Sequence, residues 1–87
     1  MEITVKMPDC VAPQLLDVRV SEGIRVETGD ILFSYSSDGA LLFEYAACSG
    51  TVTEIFAVCG RVRCGESVLK IAAEIPAEEL FPQSYMR

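Results

Sequence analysis

Four cysteines, Cys10, Cys48, Cys59 and Cys64, carry the most versatile chemistry in this chain, since four thiols suffice for two disulfides or for one four-thiolate zinc site. Zinc thiolates usually arrive in close pairs such as C-x2-C, and the one local pair here is the wider "CGRVRC", residues 59–64. The pattern therefore reads as free cysteines acting as small, half-buried hydrophobes in a reduced compartment. Partners for catalysis are scarce. Histidine, the commonest general base and metal ligand near neutral pH, is absent from the sequence. The carboxylates Glu22, Glu27, Asp30 and Glu66 fall in or beside glycine-bearing turns, as solvated turn residues do, and Asp9 and Asp17 have no evident partner. With no catalytic pair, no enzymatic activity is expected, and neither a metal nor a cofactor.

The charge balance narrows the partners. A formal charge of −6, with Lys6 and Lys70 as the lysines and the arginines scattered, offers no basic stripe to neutralise phosphates, which excludes a nucleic-acid role. No apolar run approaches the ~18 residues of a membrane span, and no basic segment followed by an apolar stretch opens the chain. The expected location is cytoplasmic, alone or within a larger assembly. At 87 residues the chain is one small domain, which buries only roughly 60 to 65% of the surface its unfolded form exposes and has no room for both a core and a deep cleft.

The elements that must position these residues are strands. Segments rich in β-branched and aromatic residues, "EITVK", "LLDVRV", "DILFSY", "ALLFEY", "TVTEIFAV" and "SVLKIAA", recur between glycine-bearing turns. In "LLDVRV" the alternation places Leu16, Val18 and Val20 inward and Asp17 and Arg19 outward. No helical period precedes residue 74. Residues 75–87 read as a C-terminal tail in which Pro76 and Pro82 bracket a short "AEEL" with room for one helical turn. An internal repeat is also visible. "GIRVETGDIL", residues 23–32, is echoed by "GRVRCGESVL", residues 60–69, each preceded by a strand. Two similar β-rich halves predict an all-β fold over residues 1–74: a flattened barrel or sandwich of two four-stranded sheets with an internal pseudo-two-fold. Between the halves, Asp38-Gly39 joins two strands as a tight hairpin whose two central residues both need positive φ.

In this order and spacing, "VKMPD" near the start, "GDILFSYSSDGA" from Gly29 to Ala40, "CSGTVTEI" from Cys48 to Ile55 and the closing "GESVLKI" together resemble the biotinyl/lipoyl attachment domains over about residues 3–72. Those are the swinging-arm carriers of carboxylases and 2-oxoacid dehydrogenase complexes, with the acceptor lysine at the hairpin tip. The resemblance implies a barrel-sandwich hybrid and puts Asp38, Gly39 and Ala40 at the attachment position. Gly39 stands where the family keeps its lysine, and attachment of biotin or lipoate needs that amine. Serines 34 and 36 also stand where lipoyl domains commonly carry glutamates. The lysines at 6 and 70 belong to the first and last strands, which the fold implied by the resemblance keeps far from the tip.

The family register also implies that Phe33, Tyr35, Leu42 and Glu44 face inward while Ser34, Ser36, Leu41, Phe43 and Tyr45 face solvent. A carboxylate on a core face is costly, so either the register differs locally or Leu41, Phe43 and Tyr45 form an exposed apolar row, a candidate contact surface. A neighbouring loop, or the tail through Leu80, Phe81 and Tyr85, is the alternative cover. Three functions follow as expectations: a degenerate biotinyl/lipoyl-like module that binds a protein partner or itself, a carrier domain whose acceptor was lost or replaced, and a binding domain that uses its thiols.

Overall fold

The computed structural model describes residues 1–74, and these form eight strands. They are β1 Glu2–Lys6, β2 Gln14–Val18, β3 Arg25–Val26, β4 Ile31–Ser37, β5 Ala40–Tyr45, β6 Gly50–Ile55, β7 Gly60–Arg61 and β8 Ser67–Ala73. The described residues contain no helix. The strands make two four-stranded antiparallel sheets, ordered β1-β8-β6-β3 and β5-β4-β2-β7, and neither sheet closes on itself. Exchanging the halves, by adding four to the numbers of β1 to β4 and subtracting four from those of β5 to β8, turns one order into the other. The expected tail, its helical turn and the covering residues Leu80, Phe81 and Tyr85 lie outside the described residues.

The core shows the same symmetry at the level of side chains. Its buried apolar residues fall into six matched pairs: Met7 with Ala46, Leu15 with Val52, Val26 with Val62, Leu32 with Val68, Phe33 with Leu69, and Tyr35 with Ile71. The matching follows from the ladders, because Leu15 faces Tyr35 across β2 and β4 as Val52 faces Ile71 across β6 and β8. The turns repeat as well. Gly29 donates its N–H to the carbonyl of Ala46 while Ala46 donates to Asp30; in the other half Gly65 donates to Met7 and Met7 to Glu66. Each turn is closed by its own acid, with the N–H of Glu27 on the Asp30 carboxylate and that of Arg63 on Glu66, both at 2.9 Å. The glycine-spaced repeat is thus a repeated turn that ties the end of one edge strand to the start of its neighbour.

Bulges correct the simple alternation. The β2–β4 register jumps between Leu15 and Asp17, so Leu15 is buried and Leu16 is exposed, against the inward placement that period-2 reading predicts for Leu16. Past the extra residue the phase changes, and Val18 faces Phe33 on the core side. The matching jump in β6 lies between Val52 and Glu54. Gly50, at the start of β6, permits a close approach of the β8 backbone. A Cβ there would lie 2.2 Å from the carbonyl oxygen of Ala72, so no other residue fits without moving the sheet.

Candidate functional site

The β4–β5 hairpin turns at Asp38-Gly39, with φ of 51° and 82°. Positive φ at both central residues is the type I′ arrangement, whose twist suits antiparallel strands. Asp38, Gly39 and Ala40 are exposed, and a side chain added at Gly39 would meet nothing within 4 Å. The tip is therefore an open platform with no amine on it. Lys6 ends β1 and Lys70 lies within β8, both in the sheet that does not contain the hairpin, and Lys70 pairs with Glu2 at 3.9 Å.

The hairpin register pairs Phe33 with Glu44, Ser34 with Phe43, Tyr35 with Leu42 and Ser36 with Leu41. Leu41 is 60% exposed and Tyr45 54%, whereas Phe43 between them is half-buried. Ser34 is not solvent-facing as expected: it is only 4% exposed. It lies on the outer face between Phe43 on β5 and Asp17 on β2. There Arg19 holds the Asp17 carboxylate at 3.1 Å and lies 6.0 Å from the Phe43 ring, so a cation, an acid and an aromatic surround a small side chain. The apolar row is therefore broken in its middle by Arg19.

Glu44 does occupy a core-facing position. Its counterpart in the other half is Val5, which faces Leu69 as Glu44 faces Phe33. Glu44 escapes full burial because β5 is an edge strand; it is half-buried, and desolvation holds its carboxyl above the ordinary carboxylate range. Desolvation likewise raises the nearby Tyr35 phenol, with the negative charges of Glu44 and Cys10 adding to it. An inward-pointing charge on an edge strand is a recognised guard against edge-to-edge pairing.

Around the hairpin tip the structure gathers residues that sequence spacing had left apart. The loop between β1 and β2 comes alongside β4, where the hydroxyl of Ser37 accepts from the Val11 N–H at 3.0 Å and donates to the Val11 carbonyl at 2.9 Å. Ala12 in this loop has a φ of 49°. From the other side the turn before β8 brings Cys64 to Cys10: the Cys10 N–H points at Sγ of Cys64 at 3.3 Å, and that thiol donates to the Cys10 carbonyl at 2.9 Å. Beside this junction is an open cleft of about 710 Å³ lined by residues 12–14, by Arg61, Val62 and Arg63, and by Glu66. Neither Arg61 nor Arg63 forms an ion pair among the described residues.

These loop contacts escape a periodicity reading because they join positions 26 and 54 residues apart. The available signal was the extra length of the β1–β2 loop over its β5–β6 counterpart. At the opposite end of β4, Arg25 grips Glu74 through two hydrogen bonds, at 2.8 and 2.7 Å, and also meets Glu27. The grip holds the Glu74 carboxyl below its usual range. Cys48 is half-buried and Cys59 exposed, and all four thiols are free. Among the described residues no cluster of three or more His, Cys, Asp or Glu could hold a metal, and no helix is long and apolar enough to cross a membrane. No family model matches the chain, and no curated protein matches it.

Proposed function

We propose that this chain is a non-enzymatic, biotinyl/lipoyl-like domain that has lost the carrier arm and acts as a structural or protein-interaction module. The observation that supports this most is the pairing of two symmetry-related half-sandwiches with an exposed type I′ tip that carries glycine at the attachment position. An amide link to biotin or lipoate has no nucleophile there. What the hairpin presents instead is surface: the β5 edge with Leu41 and Tyr45 exposed and Phe43 half-buried between them, and the arginine-bearing cleft beside its tip. A protein partner or a second copy of the chain is the occupant this reading calls for, in a cytoplasmic setting.

The second reading, a carrier domain whose acceptor was replaced, rests on the open space at Gly39. Restoring the amine separates scaffold from function. The Gly39→Lys variant, expressed with biotin and lipoate ligases, is expected to gain a biotinyl or lipoyl mass, since the strain of a side chain at φ 82° costs only roughly 1 kcal/mol. A folded variant that both ligases leave unmodified removes the support for a carrier ancestry.

A further inference from the structure

We propose that Cys10 and Cys64 are an oxidisable pair, which an anionic low-molecular-weight disulfide of the glutathione type converts into an intramolecular disulfide at the hairpin-tip end of the domain. Sγ of Cys64 is 3.3 Å from the Cys10 nitrogen, and the N–Cα bond is about 1.5 Å, so the sulfur is within roughly 5 Å of the Cys10 Cα. The Cys64 sulfur is thus already seated against the Cys10 main chain, from which the Cys10 thiol branches. Cys64 is exposed and Cys10 half-buried, which suits an accessible first thiol with a resolving thiol beside it.

The internal symmetry supplies a comparison within the same molecule. Counting from the turns, Cys64 corresponds to Thr28, and counting from the ends of the edge strands, Cys10 corresponds to Ser49. In that half the two positions are joined by a hydroxyl with the roles exchanged: the Thr28 N–H donates to Oγ of Ser49 at 3.2 Å, whereas here the Cys10 N–H meets the Cys64 sulfur. The fold thus closes the same junction without sulfur, and a pair of thiols adds only the capacity to be oxidised. Approach of an anionic oxidant to a chain of charge −6 is unfavourable in general, but Arg61 and Arg63 line the cleft next to this junction and are free of ion pairs among the described residues.

The exchange balances as follows. The thiolate of Cys64 attacks one sulfur of the small disulfide and releases the first small thiol; the thiolate of Cys10 then attacks Sγ of Cys64 and releases the second. Two protein thiols are oxidised, one small disulfide is reduced to two thiols, and the two protons pass to the thiolates that leave. The new bond closes a loop across 54 residues of sequence and fastens the β1–β2 loop to the turn before β8.

The test uses the full chain with Cys48→Ser and Cys59→Ser, equilibrated with glutathione disulfide without denaturant, alkylated, and read by intact mass and peptide mapping. The expected product has lost two hydrogens, resists alkylation at both thiols, and yields a Cys10–Cys64 cross-linked peptide. Its melting temperature should rise on the order of 5 to 10 °C and return with reductant. Cys64→Ser, whose hydroxyl can accept from the Cys10 N–H and donate to the Cys10 carbonyl in place of the thiol, should fold, give no cross-link and show no such shift. A glutathione adduct that persists on Cys64 while Cys10 still alkylates, covalent dimers, or full alkylation of both thiols would each overturn the proposal.

Discussion

Gly39 and Gly50 put opposite demands on a side chain. At Gly39 there is space but the backbone is left-handed; at Gly50 the backbone is ordinary but the space is filled by Ala72 and Ile71. Gly50→Ala is therefore expected to cost about 3 kcal/mol, as overpacking against backbone does, and urea denaturation should show it as a fall in midpoint. Glu44 makes the residue-scale prediction for pH. Burial raises its folded pKa above the ordinary 4.5, so the folded chain holds this proton more tightly than the unfolded chain does. The stability tied to that proton is present below pH 4.5 and is lost as pH rises through the raised folded value. Glu44→Gln should flatten this decline in denaturation curves taken from pH 4.5 to 7. Glu74 has the opposite sign, because the Arg25 hydrogen bonds lower its pKa; its small contribution is present above pH 4.5 and is lost as pH falls.

At the scale of the element, β5 decides how the molecule meets others. It is an edge strand of six residues, without a second neighbour among the described residues, with exposed apolar side chains and the inward carboxylate of Glu44. Leu41→Ser and Tyr45→Ser are expected to leave stability within about 0.5 kcal/mol, as exposed positions do, whereas Phe43→Ser should cost on the order of 1 to 2 kcal/mol because Phe43 packs beside Arg19 and over Ser34. Thermal unfolding of the three variants checks this. Glu44→Val, which copies Val5, should stabilise the fold by on the order of 1 kcal/mol and at the same time favour self-association, visible by light scattering. The hairpin itself was legible in the sequence, because Asp-Gly at a two-residue turn states its backbone conformation outright. The burial of Ser34 and the exposure of Leu16 were not, since one depends on a three-strand neighbourhood and the other on a bulge that breaks the period of two. The two-residue strands β3 and β7 also escaped the reading, being too short to carry a period, although both lie inside the repeat that was recognised.

At the scale of the whole molecule, the six matched core pairs span both halves, and each sheet takes strands from both. Neither half buries its own apolar face, so the domain should unfold in one cooperative step, with tyrosine fluorescence and far-ultraviolet circular dichroism giving coincident curves. Val26→Ala and Val62→Ala, equivalent by symmetry and both nearly fully buried, should each cost roughly 2 kcal/mol. This symmetric frame ends in a tip that offers no amine, and the proposed module accordingly carries no attached arm. The intact mass of the wild-type chain, isolated after expression with biotin and lipoate ligases and their substrates, tests it most directly. The expected mass is that of the bare polypeptide; a biotinyl or lipoyl adduct on any residue would overturn the proposed function.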